Sequence, residues 1–275
     1  MRAIFPWHVT SLLIAILIAG IALAVFVRWL EPRFAFFPTA GESPTPAELG
    51  VPFEAVTLTT NDGEQLRAWF LPNPGARALV VYFHGNGGNL SVWLPVIAGI
   101  YRQGFSVAAI DYRGYGASSG HPTERGMYRD VDAALDWTQQ LVKPGVPVVY
   151  WGRSLGTTMA AYAATKRRPE ALILESGFTH ARALMRASPL LALLSLFSSY
   201  RFPTAEYARR AGCPVLVLHG DDDHVIPFAN GRELYDVLAE PKRLHVIAGG
   251  DHNDVDPSDP QQYWGAVQEF VAALR

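Results

Sequence analysis

Three short stretches bring together residue types that can break an acyl bond. Trp151-Gly152-Arg153-Ser154-Leu155-Gly156 reads G-x-S-x-G, between an apolar run at 146–150 and a helix-like run at 157–165. Asp221-Asp222-Asp223 follows the apolar run 214–218, and Asp251-His252-Asn253-Asp254 follows the run 243–247. A serine hydroxyl is too basic to attack an ester unaided, so a neighbour must take its proton and a third group must orient that neighbour. Serine, acid and histidine supply one of each, in that chain order. Strand, tight turn and helix is also the setting that turns G-x-S-x-G into a nucleophile elbow. The glycines flank a strained turn where a side chain at either position would clash with the adjoining strand or helix. Ser154 is then exposed at the tip, beside backbone N–H groups that open a helix.

The elements around these stretches must carry them to one place. Residues 55–60 and 65–71 alternate apolar and polar around Asn61-Asp62-Gly63, a hairpin signature. Residues 78–83 are an unbroken apolar run and 106–110 a second apolar strand, as in strands buried on both faces of a parallel sheet. Helical patterns fall at 90–102, after Thr123, after Ser154 and at 260–274, with further strands at 171–174, 214–218 and 243–247. Alternating strands and helices predict an α/β layered domain with a mainly parallel sheet. In such a sheet the ligand lies beyond the carboxyl ends of the strands. His84-Gly85-Asn86-Gly87-Gly88-Asn89, Asp111 with the Arg113–Gly116 turn, Ser154, Asp221–Asp223 and His252 all follow strands there. Residues 178–207 break the alternation and are expected to form a small helical cap over the site.

At 275 residues and 49% hydrophobic side chains the chain has ample material for a core. A formal charge of −2 carries no basic excess, so nucleic acid is not an expected partner. The single cysteine, Cys213, excludes an intramolecular disulfide and a cysteine-based metal cluster, and reads as a buried thiol. Acids and histidines cluster at 219–224 and 251–256, but without H-E-x-x-H or similar spacing. No metal or cofactor is expected.

Residues 9–27 hold no charge, and nineteen helical residues rise about 28 Å, close to the hydrocarbon thickness of a bilayer. Trp7 and Trp29 bracket the run as interfacial aromatics do. Arg2 and Ala22-Leu23-Ala24 fit a secretory signal cleaved near Ala24, yet the apolar run continues to Val27, which favours a retained anchor. The expected organisation is an anchor at 1–30, a juxtamembrane linker at 31–50 and an α/β domain at 51–275. Arginines at 2, 28 and 33 leave the side of the membrane open.

Taken together, HGNGGN (84–89), DYRGYGASSG (111–120), GRSLG (152–156), HGDDDHVIP (219–227) and GGDHND (249–254) resemble the α/β-hydrolase superfamily. Within it they resemble the membrane-anchored serine hydrolases that include lysophospholipid lipases and protein depalmitoylases. The resemblance runs from about Val51 to the C-terminus, and an anchor followed by FFPT (36–39) also fits it. It implies the α/β-hydrolase fold: a mainly parallel central sheet, an antiparallel hairpin at one edge, helices on both faces and a small cap. It implies Ser154 as nucleophile, His252 as general base and Asp223 as the orienting acid, with Asp221, Asp222 and Glu175 as rival acids. The backbone N–H groups of Leu155 and Asn86 are then the oxyanion hole. His84 is expected to shape that turn, and Asp111 to tie down the Arg113–Gly116 turn.

The expected function is a membrane-anchored serine hydrolase of carboxylic esters or thioesters. Apolar residues 189–197 near the anchor suggest acyl or lipid substrates, although the same segment is equally suited to packing on the domain. A serine peptidase on the same fold and a non-catalytic binding protein are the alternatives.

Overall fold

The computed structural model describes residues 7–185, 189–254 and 259–274. Arg2, part of the signal-peptide reading, and residues 255–256 lie outside them. The chain opens with α1 (Trp7–Ala35), the two-residue β1 (Phe37–Pro38) and the hairpin β2 (Glu54–Thr59) and β3 (Gln65–Leu71). There follow β4 (Leu79–Phe83), β5 (Gly87–Gly88), α2 (Leu94–Arg102), β6 (Ser106–Ile110), α3 (Glu124–Thr138), β7 (Val148–Arg153) and α4 (Gly156–Lys166). β8 (Ala171–Glu175) leads through three short helices, α5 (Ala181–Met185), α6 (Pro189–Leu194) and α7 (Thr204–Arg209). The chain ends with β9 (Val215–Gly220), α8 (Phe228–Asp236), β10 (Lys242–Ile247) and α9 (Pro260–Ala272).

Eight strands form one sheet in the order β10-β9-β8-β7-β4-β6-β3-β2. β2 and β3 are antiparallel, β3 runs antiparallel to β6, and the remaining neighbours are parallel. β4, β6, β8 and β9 are buried along their whole length, which their unbroken apolar runs require. Alternate residues serve opposite faces. Val81 and Phe83 join Met127, Val131 and Met159 on one side, while Val80 and Tyr82 join Ile97, Val267 and Phe270 on the other. The helix after Thr123 is capped as its sequence predicts, with Thr123 Oγ1 accepting the Gly126 N–H at 3.0 Å. Arg113 ties the hairpin to α3. It donates to Asp62 at 2.9 and 3.0 Å and through Nε to buried Asp130 at 2.8 Å.

Sheet order fixes where a ligand can sit. β4 and β7 are neighbours, with Phe83 opposite Gly152. The chain leaving β4 passes to α2 on one face, and the chain leaving β7 passes to α4 on the other. The two loops therefore part beyond the carboxyl ends of these strands and open a crevice. The histidine-led turn at 84–89 and Ser154 are the two walls of that crevice.

The N-terminal third corrects two expectations. α1 runs to Ala35 rather than stopping near residue 30, and its stretch Val9–Arg33 is long and apolar enough to cross a membrane, with mean hydropathy 2.8 over its most apolar eighteen residues. Residues 36–42 of the expected linker lie against the domain, although most of the side chains from 37 to 50 are exposed. Phe36 is buried against the rings of Tyr200 and Phe202, at 5.3 and 6.3 Å between centroids. Glu42 accepts from the Trp69 indole at 2.6 Å and from Arg67 Nε at 2.8 Å. Pro38 and Thr39 lie in a strand-like segment whose backbone is paired, Pro46 opens a short 3-10 turn at Pro46–Leu49, and the contacts with the domain begin at Phe36 rather than Val51.

The cap is also shorter than expected. α5 and α6 lie in it, with residues 186–188 outside the described residues. α7 returns to the body: Thr204 hydrogen-bonds Thr158 of α4 at 2.7 Å, and Ala208 is buried in the core. Residues 204–207 therefore belong to the α4 face and not to the cap. Glu31 of α1 holds the cap's far end, accepting from the Ser199 N–H and hydroxyl at 3.0 and 2.6 Å and from the Ser198 hydroxyl.

Candidate active site

The turn at Ser154 is as tight as its glycines imply. A Cβ on Gly152 would overlap the carbonyl of Gly156, and a Cβ on Gly156 would overlap the carbonyl of Phe83 on β4. Ser154 itself has φ 54°, a left-handed conformation that L side chains seldom adopt. Its N–H donates to the Glu175 carbonyl at 2.8 Å, and its own carbonyl accepts from the Thr157 hydroxyl at 2.6 Å. These bonds hold the strained residue with its hydroxyl pointing into the crevice.

Ser154, Asp223 and His252, separated by up to 98 positions in sequence, meet there. His252 Nε2 lies 3.1 Å from Ser154 Oγ, and His252 Nδ1 lies 2.8 Å from Asp223 Oδ2. An ionised carboxylate only accepts, so the Nδ1 proton belongs to the bond with Asp223 and Nε2 turns its lone pair to the serine hydroxyl. The other carboxylate oxygen of Asp223 accepts the N–H groups of Val225 and Ile226 at 3.0 and 2.7 Å. Burial pushes the Asp223 pKa up, but its bonds to His252 and to the Ile226 N–H outweigh this and hold it below the ordinary carboxylate value. His219 sits behind it, 3.5 Å from Asp223 Oδ2, and burial lowers its pKa, so it packs there as a neutral ring bonded to the Ile226 carbonyl at 2.8 Å.

The rival acids are engaged elsewhere. Asp221 accepts the Gly249 N–H at 2.6 Å, and Asp222 is exposed beside His224. Glu175 is buried and accepts from Trp151 Nε1 at 2.9 Å and the Tyr263 hydroxyl at 3.1 Å. It also faces Arg153 at 3.4 Å. That arginine is a residue the sequence reading passed over. Its guanidinium donates to the carbonyls of His252 and Asp254 at 2.9 and 2.5 Å, fixing the loop that carries the imidazole. Its place inside G-x-S-x-G was the available signal, since a charge so close to a buried turn must have partners.

Opposite the elbow, Gly85 brings the 84–89 turn close enough that a Cβ there would stand 3.4 Å from Ser154 Cβ. His84 Nδ1 contacts the Gly85 carbonyl at 2.7 Å, and its Nε2 lies 3.3 Å from Asp111. Asp111 also accepts the Leu90 N–H at 2.9 Å. Asp111 therefore braces this turn as well as lying under the Gly116 turn it was expected to secure. Tyr115 donates to the carbonyl and side-chain oxygens of Asn86, both at 2.9 Å. Among the described residues, neither the Leu155 nor the Asn86 backbone N–H has a hydrogen-bond acceptor, and both residues line the cavity above Ser154.

That cavity measures about 800 Å³. Its walls are mostly apolar, with Phe37, Trp93, Phe178, Leu184, Phe202 and Ile226 around Ser154 and His252. No carboxylate lines it among the described residues.

A mainly parallel eight-stranded sheet, with a serine elbow after one strand and an acid and a histidine after two later ones, is the framework of an α/β-hydrolase. Residues 74–212 match the family model described as serine aminopeptidase, S33, and the chain is a hydrolase that belongs to the α/β-hydrolase superfamily. It is 31% identical to the Mycobacterium tuberculosis protein Rv2307c over 264 residues, covering 94% of this chain and 92% of that one. It is 35% identical to the lysophosphatidylserine lipase ABHD12 of Danio rerio over 189 residues, covering 61% of this chain and 49% of that protein. The Pyrococcus furiosus esterase Pf2001 has the same fold, with TM-score 0.70 and 21% identity over 87% of this chain and 97% of that one.

Proposed function

We propose that the protein is a membrane-anchored serine hydrolase that cleaves carboxylic esters or thioesters of apolar acyl groups through an acyl-enzyme. The observation that carries this reading is the unbroken line from Asp223 through His252 to Ser154 Oγ at the floor of an apolar cavity. His252 takes the Ser154 proton as Oγ attacks the carbonyl carbon, and Asp223 stabilises the imidazolium that forms. The tetrahedral oxyanion is met by the N–H groups of Leu155 and Asn86, which need no reorganisation to receive it. His252 then protonates the leaving alcohol or thiol, the acyl group stays on Ser154, and water enters by the same general base to release the acid.

Ester rather than peptide substrates are favoured by the cavity lining. An aminopeptidase must neutralise the α-ammonium of its substrate, and this cavity offers no carboxylate for that among the described residues. α1 supports the anchored reading by its length and apolarity, and the lipase among the relatives supports a lipid-derived acyl donor.

The test has two arms. A fluorophosphonate probe is expected to label the wild type and not Ser154→Ala; labelling that persists in the variant sinks the nucleophile assignment. With p-nitrophenyl esters, kcat/KM is expected to climb from acetate to octanoate, because each buried methylene is worth about 0.8 kcal/mol, or about fourfold. A preference for acetate would remove the acyl-binding role of the cavity.

A further inference from the structure

The segment that joins the apolar helix to the domain does not merely pass the site. β1 lies in parallel register against β5, Phe37 opposite Gly87 and Pro38 opposite Gly88, and β5 is the middle of the turn that carries Asn86. The Thr39 N–H donates to the Gly88 carbonyl at 2.9 Å. Asn86 Nδ2 donates to the Ala35 carbonyl at 2.7 Å, and Asn89 Nδ2 to the carbonyls of Thr39 and Gly41 at 3.2 and 2.9 Å. The segment is pinned from beyond as well: Gly116 N–H donates to the Thr39 carbonyl at 2.9 Å, and Gly41 N–H to the Gly116 carbonyl at 3.0 Å. Phe36, buried between, fixes its depth. On its inner side the turn has Tyr115 and Trp93, whose indole donates to the Gly87 carbonyl at 2.8 Å.

We infer that residues 35–41 are a positioning element for the oxyanion turn, so that the root of the membrane helix sets the direction of the Asn86 N–H. A backbone donor is aimed by the peptide planes on either side of it. Gly87 and Gly88 have no side chains to hold those planes, and Gly88 adopts φ 88°. Their orientation therefore comes from partners across the ladder, and on the outer side those partners are residues 35–39. An oxyanion donor stabilises the transition state more than the bound ester, so loosening it lowers kcat and leaves KM nearly unchanged. The inference rests on the reading of Asn86 as an oxyanion donor and of Ser154 as the nucleophile.

The full-length chain with Thr39→Pro tests it, because proline deletes the N–H that bonds Gly88 and little else in a strand-like segment. Thr39→Ala keeps the N–H and is the control. Thr39→Pro is expected to lower kcat on a p-nitrophenyl ester by about 10- to 100-fold, below the 10²–10³ typical of losing a donor outright. KM should stay near the wild-type value; Thr39→Ala, which keeps the N–H but shortens a side chain that lines the cavity, should keep far more of kcat than Thr39→Pro. Asn89→Ala, which strips the donor from the Thr39 and Gly41 carbonyls, should lower kcat in the same sense. Circular dichroism and thermal melting report whether each variant is folded. A folded Thr39→Pro or Asn89→Ala with wild-type kcat, or a loss confined to KM, overturns the inference. So does failure of both variants to fold, since the segment would then serve folding rather than catalysis. If wild type labels with fluorophosphonate at Ser154 and Thr39→Pro turns over normally, only the positioning role is lost; if wild type does not label, the underlying hydrolase reading has failed instead.

Discussion

Ser154→Ala and His252→Ala are each expected to lower ester turnover by about 10⁶-fold, and the double substitution to lower it little further. The reason is geometric. Nε2 stands 3.1 Å from Oγ, and the attack and the proton transfer are one event, so either half is useless without the other. On the proposed reading, the oxyanion turn and the cavity remain in either variant and would still bind and polarise an ester. Single-turnover and steady-state rates with one activated ester, measured on both single variants and the double, decide the matter. Losses that multiply would mean that the two side chains act independently and that the serine has another base.

Asp223→Asn is expected to cost about 10⁴-fold in kcat while leaving the fold intact. The amide oxygen can still accept the Val225 and Ile226 N–H groups that Asp223 Oδ1 accepts now, so the loop after β9 keeps its shape. The amide NH₂ then faces His252 Nδ1, which must turn acceptor, and the proton moves to Nε2. A protonated Nε2 cannot take the serine proton. Asp221→Asn and Asp222→Asn should remain close to wild type, because those side chains bond Gly249 and face solvent rather than the imidazole. Turnover measured beside thermal melting separates this tautomer effect from unfolding. A larger loss in Asp221→Asn than in Asp223→Asn would move the acid to the other position.

Much of this site was legible because its parts are local in sequence. G-x-S-x-G between a strand and a helix defines a turn within a few residues, and the resemblance to the α/β-hydrolases implies Asp223 among three adjacent aspartates. The strands at 106–110 and 65–71 were read within their observed bounds, the first because it is almost wholly apolar and the second because it alternates around a hairpin turn. The region 36–49 was not legible. Its pairing with 87–88 is a two-residue ladder between segments some fifty positions apart, and no periodicity announces so short a contact. Proline and threonine look the same in a free linker and in a segment whose backbone is paired elsewhere. The end of the cap was missed for a related reason. The Thr204 side chain meets Thr158 across 46 positions, and neither residue carries a local sign of the other. Arg153 was hidden by its motif, in which it stands as a variable position.

The absence of a spacer after α1 has a consequence for how the protein searches for substrate. The helix holds 29 residues, about 43 Å at 1.5 Å per residue, against a hydrocarbon layer of about 30 Å. With α1 across a bilayer, its last turns stand in the headgroup layer, and Ala35 and Phe37 at its root already line the cavity. On that anchored reading the domain would have little tether on which to swing, and its mouth would be held close to the lipid surface. For a hydrolase anchored in this way, encounter would become a search in a plane. Amphiphiles gliding laterally past the helix meet the opening at a constant level, while dissolved esters must first find it by diffusion through the bulk.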